Sequence, residues 1–248
     1  MTEVRPRSFP SVIGYFMLKN IFKIIGILGL GILGGILGGI FAQNSFFYKY
    51  NLQPAPVYVN KTEKIVIQEN VALKNAIEKV EKTLIGVRTI TKKGKILEGS
   101  GLILTSDGLA ITLADLAPKE GSFNFFFEGK KVKAQVLKRD LKENLALIKI
   151  EENNLPTSGF GNLEKIKLGE RVFLIGAIFE KEEPKKMANE GIIKYVNENL
   201  IQTTVFEKRA AGSPLFDIEG NALGLNYVGE TGEVLTIPIS KIRKFANL

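Results

Sequence analysis

The sequence predicts an all-β domain, a sandwich or barrel, carried behind one apolar helix. Three observations predict it. After Leu84 the chain breaks into about a dozen short runs rich in β-branched and aromatic residues, each bounded by turn residues. Helical spacing is confined to one stretch just before those runs and to the last ten residues. Near the N-terminus, Ile24 to Ala42 runs 19 residues without a charge.

That uncharged block, IIGILGLGILGGILGGIFA, is long enough at about 1.5 Å per residue to cross nearly all of a hydrocarbon core of roughly 30 Å. It predicts a transmembrane helix over 24–42. Arg5, Arg7, Lys19 and Lys23 precede it, and a cationic flank stays in the cytoplasm, so residues 1–23 are expected there and the remainder outside. A signal peptide has a shorter core and an A-x-A site, and neither feature is present. Gly31 and Gly35, with Gly34 and Gly38, have the spacing at which two helices approach closely, which allows a homo-oligomer.

Residues 43–69 read as a juxtamembrane linker with aromatics (Phe46, Phe47, Tyr48, Tyr50) at the interface and a Pro-Ala-Pro break. The main domain is expected over 70–248. It opens with an amphipathic helix that carries Leu73, Ala76, Ile77, Val80 and Leu84 on one face, with Asn70 as its N-cap. Among the strand runs, Phe123, Phe125 and Phe127 alternate onto one face, as expected for core. Asp107-Gly108 and Glu219-Gly220-Asn221 read as hairpin turns, and EKEEPKK (180–186) as a solvated loop. ISKIRKFANL closes the chain as a short helix.

Composition removes whole classes of chemistry. No cysteine means no disulfide, thiolate metal site or cysteine nucleophile, and no histidine removes the commonest general base and metal ligand. No metal or cofactor is expected. The charge of +8 comes from dispersed lysines without an aromatic-interleaved basic stripe, so no nucleic-acid partner is expected.

Three stretches in order resemble the trypsin-like serine proteases of the HtrA/Deg type. GSGLILTSDGLAITLADLA (99–117) is similar to the hairpin before the catalytic histidine, and Asp115 stands where that family has histidine. DLKENLALIKI (140–150) resembles the segment carrying the orienting aspartate, with Asn144 in its place. KRAAGSPLF (208–216), with the following hairpin of Gly220, Gly224 and Asn226, resembles the nucleophile turn. Gly212, Pro214 and Leu215 set the register, which puts Ala211 at the nucleophile and Arg209 at the glycine whose N–H serves the oxyanion.

The resemblance covers about residues 70–248 and implies a double six-stranded β-barrel behind the transmembrane helix, without a following PDZ domain. It implies a bacterial-type cell membrane as location. It also implies that the triad is degenerate, none of it intact, because alanine has no nucleophile, aspartate is a poor base at neutral pH and an amide cannot stabilise an imidazolium. Binding of peptides or partner proteins is then the expected function, with Asn226, Tyr227 and Val228 at the position of the family's substrate-pairing strand. Two alternatives stand beside it: a serine endopeptidase using Ser213 in a noncanonical site with Lys208 or Lys241 as base, and a regulatory subunit of an active homologue.

Overall fold

A computed structural model describes the backbone of residues 12–42 and 61–248. The chain divides into two compact units, 1–61 and 62–248. The described part of the first is one helix, α1, Val12–Ala42, of 31 residues. Within it Asn20–Ala42 is apolar enough to cross a bilayer, and no part of that window is buried by the chain itself. The described helix begins twelve residues before the expected start at Ile24. Charge marks where a bilayer would end, whereas backbone helicity does not depend on the bilayer and continues past Lys23 and Lys19.

The second unit opens within the first turn of α2, Lys61–Val80, which is followed by a 3-10 turn over Glu81–Thr83. Asn70 therefore lies inside α2 and not at its N-terminus, and the expected linker of 43–69 is helical from Lys61 on. No proline or glycine occurs between Lys61 and Val80, so nothing in the chain interrupts the helix there. The aromatics and Pro-Ala-Pro break assigned to the linker lie outside the described residues.

Seven strands then form one antiparallel sheet: β1 (Leu84–Thr91), β2 (Ile96–Ile103), β3 (Leu109–Leu113), β4 (Gly121–Phe127), β5 (Lys130–Val132), β6 (Ala134–Asp140) and β7 (Leu145–Ile150), in the order β5-β4-β1-β2-β3-β7-β6. The second sheet holds β8 (Gly159–Phe160), β9 (Arg171–Glu180), β10 (Glu183–Val196), β11 (Ile201–Phe206), β12 (Pro214–Asp217), β13 (Asn221–Val228) and β14 (Glu233–Pro238). Its order is β12-β9-β10-β11-β14-β13-β8, and a further β12–β13 pairing closes six of these strands into a barrel. The expected two-barrel architecture is present with one difference. The first sheet remains a half-barrel, because β5 and β6 end it without pairing to each other. The chain ends in α3, Ile239–Ala246.

The strands alternate as the pattern requires. Phe125 is buried with Phe123 and Phe127 packed against the same core, while Phe126 points the other way and meets Phe179 edge-on at 5.6 Å. Phe173 and Phe216, both fully buried, stack at 5.5 Å and join the core of the first sheet, whereas their neighbours Leu174 and Leu215 fill the closed barrel. Successive residues of β9 and β12 thus face two cores, which locks the sheets together.

One loop reading is overturned. EKEEPKK is a hairpin, with β9 and β10 paired from Glu180↔Glu183 onward and only Lys181 and Glu182 left as the turn. Both turn residues have positive φ, 49° and 77°, which the favoured two-residue hairpin turn demands. Charged residues there gave no turn signal. Glu182 compensates by accepting from Arg88 Nη2 at 3.0 Å, and Arg88 Nε also donates to Glu98 at 2.9 Å.

Candidate functional site

The segments singled out in the sequence meet where the two sheets face each other. Ser100, on β2 and fully buried, is their junction. Its N–H donates to Ala211 O at 2.9 Å, its carbonyl accepts from the Thr112 hydroxyl at 2.6 Å, and its hydroxyl accepts from Ala177 N–H at 2.8 Å. One residue therefore ties the 208–212 turn, β3 and β9 together. Backbone room is minimal here: a Cβ added at Gly99 would lie 2.5 Å from both Ala211 O and Leu116 Cδ1.

Asp115 follows β3 in a 3-10 turn, Ala114–Leu116, and Asn144 precedes β7. They are bonded reciprocally: Asp115 N–H donates to Asn144 Oδ1 at 3.0 Å, and Asn144 Nδ2 donates to Asp115 Oδ2 at 2.9 Å. Asn144 has φ 52° and also accepts from Ala114 N–H through its carbonyl at 3.1 Å. An asparagine tolerates that left-handed backbone. Leu116, next to Asp115, approaches the site of Gly212, next to Ala211, so the sequence-predicted positions 115, 144 and 211 belong to one region.

The turn itself is built by Gly212 and Ser213. Gly212 has φ 73°, and a Cβ there would come within 2.1 Å of Ser100 O. Only glycine fits. Ser213 is fully buried, donates its hydroxyl to Ala210 O at 2.7 Å and accepts from Asn226 Nδ2 at 3.0 Å. Asn226 Oδ1 in turn accepts from the Thr236 hydroxyl at 2.5 Å. The Ser213 proton is held by a carbonyl, and among the described residues no lysine bonds to its oxygen. A Ser–Lys dyad has no geometric basis here.

The expected pairing strand is divided in its roles. Asn226 is fully buried, its N–H donates to Ser213 O at 2.8 Å and its carbonyl accepts from Gly212 N–H at 2.8 Å, so no polar backbone group of Asn226 is left for a ligand. This corrects its expected place on an accessible edge. Tyr227 pairs with Leu235 and Val228 with Val234 of β14. Backbone groups alternate along a strand, so Val228 turns its N–H and C=O away from β14, to the side where β12 has already ended.

Tyr227 lines a cavity of about 300 Å³ together with Asn144, Lys142, Glu143 and Lys241. Burial pushes its phenol pKa up, and the nearby Lys241 charge offsets part of that rise. Lys241 pairs with Glu143 at 2.9 Å.

Sequence reasoning missed one arrangement. The N–H of Arg209 donates to Glu207 Oε1 at 3.1 Å, and Arg209 Nε donates to the same oxygen at 3.2 Å. Two residues apart in a turn, they carry no spacing that announces such a contact.

Residues 99–225 match the model of the trypsin-like peptidase domain. Among curated proteins the chain is similar to probable periplasmic serine endoproteases, DegP-like, of Halomonas elongata (32% identical over 140 residues) and Chlamydia pneumoniae (28% over 141). Each match takes 52% of this chain and 28% of the relative, so the chain spans less than a third of their length. Among solved structures, an HtrA-type protease, AlgW, with a tripeptide superposes with TM-score 0.63 at 22% identity, over 71% of this chain and 62% of that one.

Proposed function

The chain belongs to the trypsin-like peptidase domain family, and on that premise we propose that it is a membrane-anchored member that binds peptides or partner proteins without hydrolysing them. The observation that supports this reading is the chemical content of positions 115, 144 and 211 and of their surroundings. Proteolysis there needs an oxygen nucleophile, a base near neutral pH and a carboxylate to orient it. Ala211 offers a methyl group. Asp115 puts a carboxylate where an imidazole would be needed, and it is engaged with Asn144, a neutral amide. With no histidine anywhere in the chain, no imidazole can arrive from another segment. Losing the nucleophile or the base alone costs on the order of a millionfold in turnover.

Binding survives these losses because main-chain pairing does not use the triad. Val228 offers one N–H and one C=O to an added strand, and the Tyr227 cavity of about 300 Å³ lies beside that edge to receive a side chain. The apolar window of α1 supplies the membrane anchor. The cationic flank argues for a cytoplasmic N-terminus with the barrels outside, in keeping with the periplasmic naming of the relatives.

Full chain in detergent micelles, incubated with a fluorophosphonate probe and with fluorescein-casein, is expected to give neither labelling nor cleavage. Labelling that Ser213→Ala abolishes would overturn the proposal in favour of a noncanonical peptidase. Topology is accessible because the chain has no cysteine: Lys181→Cys on the exposed β9–β10 turn is expected to react with a membrane-impermeant maleimide in spheroplasts without lysis. Reaction only after lysis would invert the orientation.

A further inference from the structure

We propose that the Glu207–Ala211 turn is a carboxylate site that takes the free C-terminus of a bound peptide, and that the side chain of Glu207 occupies it until a peptide arrives. The inference rests on the strand-addition reading above and names the class of peptide.

Four observations carry it. First, a carboxylate already sits there: Glu207 Oε1 accepts from both the Arg209 N–H and Arg209 Nε. A peptide C-terminus has the same chemistry and can take over both donors. Second, the Arg209 side chain is 63% exposed while that of Glu207 is 19% exposed, so the cation faces outward and the internal carboxylate lies beneath it. Lys208 beside it is also exposed and forms no ion pair among the described residues.

Third, an added strand that continues the antiparallel pairing of this edge has one direction. β12 runs antiparallel to β13, and the turn before it is bonded to Asn226 through Gly212 and Ser213. A peptide that pairs antiparallel with β13 at Val228 occupies the same edge, upstream of β12 and in the same direction. Its C-terminal end therefore points at the 209–212 turn. A terminal carboxylate meets the Arg209 donors there, whereas a longer peptide must bend away from them.

Fourth, the opposing charges nearby are largely accounted for. Glu98 and Glu180 line the cavity of about 240 Å³ that also holds Lys208 and Arg209. Glu98 is bound by Arg88 at 2.9 Å, which leaves Glu207 as the carboxylate in contact with Arg209.

Displacement of Glu207 makes the internal carboxylate a competitor. Fluorescein-labelled Val-Ala-Val-Ala-Val, as the free acid and as the C-terminal amide, would be titrated by fluorescence anisotropy against full chain in detergent micelles. The acid is expected to bind roughly tenfold more tightly than the amide, the gain typical of one charge-assisted contact. Glu207→Gln is expected to strengthen acid binding several-fold and leave amide binding unchanged. Arg209→Gly, which keeps only the N–H, lowers the preference several-fold, and Arg209→Lys, which keeps the charge as well, retains more of it. Equal affinity for acid and amide would overturn the carboxylate site and leave strand addition standing. Absence of binding by either peptide up to about 1 mM would overturn strand addition as well.

Discussion

Replacing Ser213 by alanine separates a structural serine from a catalytic one. In the structure its hydroxyl donates to Ala210 O and accepts from Asn226 Nδ2, all of it shielded from water. Ala210 O keeps a partner after the change, because Ser213 N–H also donates to it at 3.0 Å. Asn226 Nδ2 loses its acceptor. One buried donor left unpaired costs about 1–3 kcal/mol, and side-chain volume hardly changes, so a destabilisation of about 2 kcal/mol is expected. For a β domain of this size that lowers Tm by roughly 4–8 °C. Differential scanning fluorimetry of the full chain in micelles reads the shift, and the fluorophosphonate signal is expected to be absent in both proteins. A Tm unchanged within about 1 °C would refute the network argument.

Three further outcomes follow from the same geometry. Gly212→Ala forces φ 73° on a residue with a Cβ and drives that atom to 2.1 Å from Ser100 O, so a loss above about 3 kcal/mol is expected in chemical denaturation, more than Ser213→Ala produces. Asp107 has its pKa lowered, first by the hydrogen bond from Lys149 and then by one from Thr105. Its folded value lies below its unfolded one, so the associated stability is present above the ordinary aspartate value of about 3.8 and is lost as pH falls through the folded value; Asp107→Asn is expected to flatten the melting curve's dependence on pH below about 4. The triple variant Ala211→Ser, Asp115→His, Asn144→Asp is expected to give little fluorophosphonate labelling, because Arg209 Nε helps hold Glu207 over the Arg209 N–H; adding Arg209→Gly, which deletes that side-chain bond, is expected to raise it, and equal labelling of the two variants would show that the turn does not limit the site.

Much of the fold was legible because its signals are local. Alternation placed Phe123, Phe125 and Phe127 on one face, the Asp107-Gly108 turn shows φ 103° at Gly108, and the uncharged block is a helix. The misread pieces share a cause. Lys181 and Glu182 form a tight turn without glycine or asparagine because β9 and β10, paired over ten positions, and the Arg88 contact hold it in place. The start of α2 was set at Asn70 by a capping rule, although an asparagine can also be passed over when the helix has no breaker before it.

For the site, sequence alone determined which groups are available: no imidazole exists in the chain, and position 211 carries a methyl group. Those are facts of composition and order, which folding cannot change. The tertiary structure decided what the remaining groups do. Ser213 and Asn226 are consumed by each other only because a turn and a strand residue thirteen positions apart in the chain are brought side by side, and the Arg209 donors hold Glu207 only because the turn folds back on itself. Hydrogen bonds depend on distance and direction in space, and sequence spacing encodes neither once the chain has turned.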